Sequence, residues 1–397
     1  METVDVVISG GGVAGLTAAA AFASSGFSVT CVDPTPPVTD ERSEGADMRS
    51  TAFLQPSRDV LERAGLWPRL VPHAAPLNIM RIVDAGGAEP TPRLTRDFVA
   101  AELSDQPFGW NFPNWLLRRE MVARLAELGN VDFRPGVATT GLATRASGAE
   151  VALSDGSRIA ARLVIGADGR DSFIREASGI RAKTTHYGQK ALAFAVTHPI
   201  PHENVSTEIH RSGGPFTFVP LPDRDGKPSS AIVWMERGPE AERLAALPKD
   251  EFEAEATRRS GGIFGPLTLE TRRAVWPMIT RLAERFTAER TALIAEAAHV
   301  IPPIGAQGLN MSLADLTCLL ALCEKDPAHI GERAMLDAYG RRRWPEVKAR
   351  EIGIDLLNRA SMMAPRPLRD LRAGLLGALY SLPPVRRTLM RAGLGVR

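Results

Sequence analysis

The sequence predicts an α/β chain of two lobes: a parallel-sheet lobe that opens with a βαβ unit, an inserted lobe of mostly antiparallel sheet, and a helical C-terminal segment. Three observations carry that expectation. A strand, a glycine-rich turn, an Ala/Leu helix and a second strand follow one another between Val4 and Asp33. From about residue 190 the apolar runs shorten and are separated by Gly and Pro turns, the texture of antiparallel strands. The final stretch keeps helical spacing, punctuated by Pro365, Pro367, Pro383 and Pro384. Length agrees, since 397 residues at ~150 per domain make two or three domains.

Hydrophobic residues are 44% and charged residues 24% of the chain, which excludes a disordered or fibrous polymer and supplies material for a large core. Cys31, Cys318 and Cys323 form no Cys-x-x-Cys pair, and the 7 histidines are scattered, so neither a disulfide framework nor a metal module is expected. Free thiols suit a reducing compartment. A net charge of +2 suggests no dedicated polyanion partner, and Arg341-Arg342-Arg343 lacks the interleaved aromatics of a nucleic-acid surface. The charge is uneven, however. Residues 331–397 carry 14 Lys and Arg against 6 Asp and Glu, a basic tail on an acidic body. Residues 6–32 carry no charge, a run of 27 long enough to suggest a membrane span or signal peptide. Glu2 and Asp5 precede it where a signal peptide would be basic, and Gly10, Gly11, Gly12, Gly15 and Gly26 interrupt it. The expectation is a soluble cytoplasmic protein with no cleaved targeting segment.

Val4–Ile8 is short, β-branched and followed by glycine, as a buried parallel strand should be. Val13–Ser25 is helical, and Phe27–Val32 is a second strand stopped by Asp33-Pro34. Residues 34–47 read as a loop, Ser57–Gly65 as a helix and Leu116–Leu128 as an amphipathic helix, while 68–107 resist assignment. Val151–Leu153 and Arg158–Ala160 form a hairpin leading into a strand at Arg162–Ile165. Short strands at Ala191–Thr197, Phe216–Pro220 and Ser230–Met235 make the second lobe, followed by a helix over Glu240–Ser260. A buried strand returns at Leu293-Ile294, and a long helix starts near Gly308.

Gly10-Gly11-Gly12-Val13-Ala14-Gly15 fits Gly-x-Gly-x-x-Gly at the junction of a strand and a helix. The first glycine permits the tight turn, the second lets a pyrophosphate approach the backbone, and the third lets helix and strand pack closely. Asp33 ends the second strand and can accept ribose hydroxyl hydrogen bonds. Together they read as a dinucleotide site. A second strand runs into Gly166-Ala167-Asp168-Gly169, where Asp168 is either a turn residue or part of the site. A third ends in the carboxylate of Glu296, crosses Pro302-Pro303-Ile304-Gly305-Ala306-Gln307-Gly308-Leu309-Asn310 and enters a helix. The amides of that loop could hold a heterocycle carbonyl or a phosphate.

These three segments together resemble the flavin-dependent aromatic hydroxylases of the p-hydroxybenzoate hydroxylase type, over nearly the whole chain. Pro303–Asn310 and the closing Arg391-Ala392-Gly393-Leu394-Gly395 are similar to the ubiquinone-biosynthesis hydroxylase branch. The resemblance implies a Rossmann-like FAD-binding domain of the GR2 type, assembled from residues 1–75, 101–180 and 276–350. It implies an inserted substrate domain from 76–100 and 181–275, and a C-terminal helical segment over 351–397. It places Gly10, Gly12, Val13, Ala14, Gly15 and Asp33 on the ADP half of FAD, Asp168 near FAD and a nicotinamide donor, and Glu296 on the ribityl chain. Pro303, Gly305, Ala306, Gln307, Gly308, Leu309 and Asn310 would hold the flavin end. Asp47–Ala52 and Leu117–Met121 match flavin-proximal arginine segments, implying that Arg49 and Arg119 approach FAD; Arg118 is adjacent to Arg119. The pattern departs twice: Ala295-Glu296 stands where the family has Gly-Asp, and Gly305-Ala306-Gln307-Gly308 where it has Ala-Gly-Gln-Gly.

The implied activity is hydroxylation of an aromatic ring through a flavin C4a-hydroperoxide, on a polyprenylated phenol of ubiquinone biosynthesis, with O₂ as co-substrate. NAD(P)H or a protein electron donor would supply reducing equivalents. A flavin-dependent prenyl reductase, a soluble small-phenol hydroxylase and a non-catalytic scaffold are the alternatives. No side chain is assigned a catalytic role; His299 reads as locally hydrogen-bonded, and Cys318 and Cys323 as core packing. Leu368, Leu371, Leu375, Leu376 and Leu379, interleaved with Arg366, Arg369 and Arg372, form a basic amphipathic pattern. It could lie peripherally on the inner face of a membrane, dock on a biosynthetic partner, or pack on its own body.

Overall fold

A computed structural model describes residues 2–47, 49–86, 92–211, 213–362, 380 and 382–394. The tail leucines and arginines between 366 and 379 lie outside the described residues.

The chain begins β1 (Glu2–Ser9), α1 (Val13–Ser24), β2 (Val29–Asp33), β3 (Ser50–Leu54), α2 (Gln55–Arg63) and α3 (Trp67–Leu70). Then come β4 (Ala75–Pro76), β5 (Ile79–Asp84), β6 (Leu94–Val99), β7 (Gly109–Pro113) and α4 (Asn114–Ala126). The hairpin region is β8 (Val131–Pro135), β9 (Thr139–Arg145), β10 (Gly148–Leu153) and β11 (Arg158–Gly166), followed by α5 (Phe173–Ala177). The second lobe contributes β12 (Ala182–Thr197), β13 (Val205–His210), β14 (Pro215–Arg224), β15 (Lys227–Arg237), α6 (Gly238–Ala246), α7 (Lys249–Arg259), β16 (Thr268–Leu269) and β17 (Ala274–Ala283). The return is β18 (Thr287–Ala288), β19 (Thr291–Leu293), α8 (Ala295–Ala298), β20 (His299–Val300), α9 (Gln307–Lys325), α10 (Arg333–Ser361) and α11 (Pro383–Leu394).

One sheet runs β18-β19-β11-β1-β2-β8, with β10 and β9 joined through β11. Its centre is parallel: β1 pairs with β2 and β11, and β11 with β19, all in the same direction. Val6, Val7, Ile8, Leu163, Val164, Ile165, Ala292 and Leu293 are fully buried there, which explains why these strands read as continuous apolar runs. The second sheet runs β20-β17-β12-β15-β14-β13-β5-β6 and is antiparallel except for β13 beside β5. One face of it packs Leu192, Phe194, Phe216, Phe218 and Trp234 against Phe252 and Ala256 of α7 and Leu244 of α6. A third, three-stranded sheet, β3-β7-β4, meets the second, its Asn111 side chain donating to the Pro220 carbonyl of β14 at 2.8 Å. The α/β class, the mostly antiparallel inserted sheet and the helical C-terminus are those expected.

Several elements differ in extent. β12 is 16 residues long, reaching back to Ala182. Its first half alternates exposed and half-buried polar residues, so it lacks the apolar run that marks its second half. The expected helix over Glu240–Ser260 is two helices, because Pro248 cannot continue the first and starts the second. The third motif's strand stops at Leu293, and Glu296 sits in the single helical turn of α8 rather than at the strand end. Ala295 causes this: at φ 56° it is left-handed and cannot extend a strand.

Candidate flavin site

The three glycine-punctuated turns leave the sheet side by side. Ser9 pairs with Gly166 and Gly166 with Leu293, so the carboxyl ends of β1, β11 and β19 share one register line. Val32, beside Ser9, adds the end of β2. In an open parallel sheet this edge is where ligands bind.

The first turn is built by exclusion. A Cβ on Gly10, whose φ is 114°, would lie 2.3 Å from the Ala167 carbonyl oxygen, so this glycine lets the first and second turns touch. A Cβ on Gly15 would lie 1.9 Å from the Gly10 carbonyl oxygen, where the helix crosses the strand. At Gly12, by contrast, nothing lies within 4 Å. Gly12 is the N-cap of α1 and has no side-chain cap, so the first helical N–H groups face open space. Val13 opens α1 and Ala14 is buried in it. Asp33 accepts the Gly11 N–H at 2.6 Å through Oδ2 and the Thr35 N–H at 2.7 Å through Oδ1, which fixes its carboxylate beside the turn.

Asp168 turns inward. It accepts the Ser172 hydroxyl at 2.5 Å and the Ile174 N–H at 3.0 Å, capping α5. Burial pushes its carboxyl above the ordinary value, beyond what these hydrogen bonds offset. Its position ties the second turn together, and the side chain next along the loop, Arg170, reaches the third turn: its Nε is 3.4 Å from Glu296 Oε2.

Arg49 is bound bidentately to Asp47, at 2.8 and 2.7 Å, and lies 4.4 Å over the Trp276 ring of β17. Burial would raise the Asp47 carboxyl, but hydrogen bonds and charge from Arg49, with Asn114 and Arg118, hold it below the ordinary value. Arg118, at 3.4 Å, is the arginine of α4 that shares Asp47 with Arg49. Arg119 points elsewhere, pairing with Glu120 at 2.8 Å and approaching His73 at 3.5 Å. The adjacency in sequence thus resolves in favour of Arg118 as the neighbour of Arg49.

In the third turn Pro303 is exposed and Gly305 has φ 63°. Ala306, also left-handed at φ 55°, is the N-cap of α9 without a side-chain cap. A Cβ on Gly308 would meet nothing within 4 Å. Gln307 and Asn310 are committed to the protein. Gln307 donates to the Gly305 and Gly393 carbonyls at 2.9 and 2.7 Å. Asn310 accepts from Leu54 N–H and Ser57, and donates to the Ala52 and Ala306 carbonyls. They brace the loop against β3 and α11, while Leu309 packs on the core. Above the loop, Val219 of the second sheet joins an apolar cluster with Ala52, Leu54, Ala306, Met390 and Leu394. Ala191, Val233, Met235, Trp276 and Met278 continue that sheet face.

A family model described as an FAD binding domain matches residues 3–351. The chain belongs to this FAD-binding-domain family. Ubiquinone hydroxylase UbiL of Rhodospirillum rubrum is 32% identical over 99% of this chain and 90% of its own length. The 3-demethoxyubiquinol 3-hydroxylase of Escherichia coli is 25% identical over 100% and 99% of the two chains. In fold, p-nitrophenol 4-monooxygenase PnpA from Pseudomonas putida superposes with TM-score 0.81 at 19% identity, over 100% of both chains.

The residues present fit FAD. Gly12 and Gly308 leave open space where a side chain would intrude, two long helices present uncapped N–H groups, and the Trp276 indole N–H is buried without a partner. Sequence reasoning missed Arg170 and Trp276. Arg170 sits two places after Asp168 and was within reach of a closer reading; Trp276, on a strand of the other lobe, carried no local signal.

His299 is a structural residue behind the site. Its Nε2–H donates to Asp315 at 2.6 Å, both side chains being at most 1% exposed, and Arg343 binds the other Asp315 oxygen at 2.8 Å. Cys318 and Cys323 are free thiols, and burial pushes Cys323 up to about 12.

Proposed function

We propose that this FAD-dependent enzyme hydroxylates the aromatic ring of a polyprenylated phenol in ubiquinone biosynthesis, consuming O₂. The observation that carries the reading is the shared register line of Ser9, Gly166 and Leu293 beneath an apolar sheet face. When bound, FAD would supply the redox chemistry, with NAD(P)H or a protein donor as reductant and O₂ as co-substrate. The chain's own residues bind, orient and exclude water. Gly10 to Gly15 and the α1 amides would hold the pyrophosphate, and Asp33 the adenosine ribose. Glu296 would hold the ribityl chain. Gly305, Ala306 and Gly308 would offer backbone approach to the flavin end, and Arg49, with Arg118, would supply positive charge beside it. Asp168 fixes the turn between them. The face with Val219, Val233 and Met235 keeps the ring site dry and suits an apolar tail. The division into an FAD domain in three parts, a substrate domain over 76–100 and 181–275, and a C-terminal segment from 351 is part of this proposal.

The test is oxygen uptake by the FAD-loaded protein with reductant. Uptake should rise on adding a prenylated phenol, with one oxygen atom recovered in the ring by mass spectrometry. Reduction of the prenyl chain without O₂ uptake would assign a reductase instead. Turnover of a simple phenol with no gain from the prenyl tail would assign a small-phenol hydroxylase. Rescue of quinone synthesis by a variant unable to bind FAD would assign a scaffold.

A further inference from the structure

Arg170 belongs to no part of the reading above. It lies in the loop between β11 and α5, with its guanidinium 6.0 Å from the centroid of the Trp276 ring that Arg49 covers at 4.4 Å. Its Nε is 3.4 Å from Glu296 Oε2, and the Glu296 charge also favours the Arg49 cation. Glu296 therefore faces two guanidiniums that share one indole.

We propose that Arg170 is a positioning residue that fixes the Glu296 carboxylate at the third turn, allowing a glutamate to serve where the related pattern has an aspartate. This rests on Glu296 being the cofactor-facing carboxylate. The need arises from length. Glutamate has one more rotatable bond than aspartate, and this side chain is 47% exposed, so packing does not hold it. Such a side chain surrenders rotamer freedom when it binds a ligand. A half-exposed ion pair adds little to the stability of the fold, but it can narrow the orientations of a carboxylate before the ligand arrives. Arg170 comes from the second turn and Glu296 from the third, so the pair also sets the separation between the two turns.

The experiment is FAD titration of protein freed of cofactor, followed by flavin fluorescence, for wild type, R170A, R170K, E296D, E296A and R170A/E296D. Expected is a loss of affinity of about 5- to 10-fold in R170A, with most of it restored in R170K. In the E296D background, where the shorter carboxylate no longer meets Arg170, R170A should change affinity less than about 2-fold. Melting midpoints of the cofactor-free proteins should coincide, which a merely structural role would not allow. An equal loss in both backgrounds, no loss, or tighter binding in R170A overturns the proposal. If E296A binds FAD as wild type does, the role of Glu296 itself fails, a result read without reference to Arg170.

Discussion

Among the four glycines of the first turn, Gly10, Gly11 and Gly15 serve the fold, each facing protein atoms where a Cβ would stand, and Gly12 serves the ligand. A methyl at position 15 would overlap the Gly10 carbonyl at 1.9 Å, whereas a methyl at position 12 enters open space. Gly15→Ala should therefore lower stability by several kcal/mol, ~3 or more, or prevent folding, because backbone must move. Gly12 has φ −71°, which alanine adopts freely, so Gly12→Ala should stay within ~0.5 kcal/mol of wild type. Its FAD affinity should nonetheless fall at least ~10-fold, since the methyl occupies the approach of the pyrophosphate. Urea unfolding and FAD titration, run on the same preparations, separate the two effects; parallel losses in both variants would refute the division. Ala295 poses the opposite case. A non-glycine residue at φ 56° carries ~1–2 kcal/mol of strain, of which glycine's greater unfolded-state freedom takes back ~0.5–1. Ala295→Gly should raise the urea midpoint by the equivalent of ~0.5–1 kcal/mol, with an unchanged slope.

At the scale of elements, the site depends on how short segments from distant strands are clamped. Asp47 holds the segment before β3 through Arg49, Asn114 and Arg118. Its folded carboxyl is depressed below the ordinary 3.8, so its contribution is present above that pH and is lost as pH falls through the lower folded value. Arg49→Ala removes the strongest partner and should cost ~1–3 kcal/mol at pH 7. The gap between wild type and variant should close as the pH is lowered below the ordinary 3.8, which unfolding midpoints at successively lower pH would show. A gap that stayed constant would mean the loss lies in the Trp276 contact instead. The pairing of Arg49 with Asp47 is short-range and could be read from the sequence Asp47-Met48-Arg49. The parallel strands were equally legible, because full burial writes itself as unbroken apolar runs. Less legible were β5 and β6, whose residues are mostly half-exposed, and the polar half of β12. Their place is set by pairing with strands far along the chain, which no local period encodes. The choice of Arg118 over Arg119 was beyond the sequence for a related reason. Neighbours on a helix differ by about 100° in direction, and only the tertiary position of α4 decides which faces Asp47.

For the whole molecule, access of the proposed prenylated substrate to the site turns on the C-terminal segment. No helix among the described residues is long and apolar enough to cross a membrane. Yet Ile352, Leu356, Leu357, Leu382 and Leu389 are exposed large apolar side chains in the part of the chain with a surplus of basic residues. On α10, positions 352 and 356 are one turn apart and present a common face. The same segment reaches the site, since Gly393 accepts from Gln307 and Leu394 is buried with Ala52 and Leu54. If the exposed apolar positions of α10 and the basic residues of this segment act together, they would suit an anionic bilayer. The protein should therefore float with vesicles containing phosphatidylglycerol and less with phosphatidylcholine alone, the difference shrinking as salt rises. Removing residues 362–397 should abolish flotation, but that deletion also strips the cover from Gln307. Leu356→Glu with Leu357→Glu leaves α11 in place and changes only exposed positions. It should weaken binding to anionic vesicles by ~10-fold or more, given ~1.5–3 kcal/mol for burying each leucine, while FAD affinity stays that of wild type. Undiminished flotation of both variants would place the membrane contact on another surface and leave the basic segment as a solvated cover of the site.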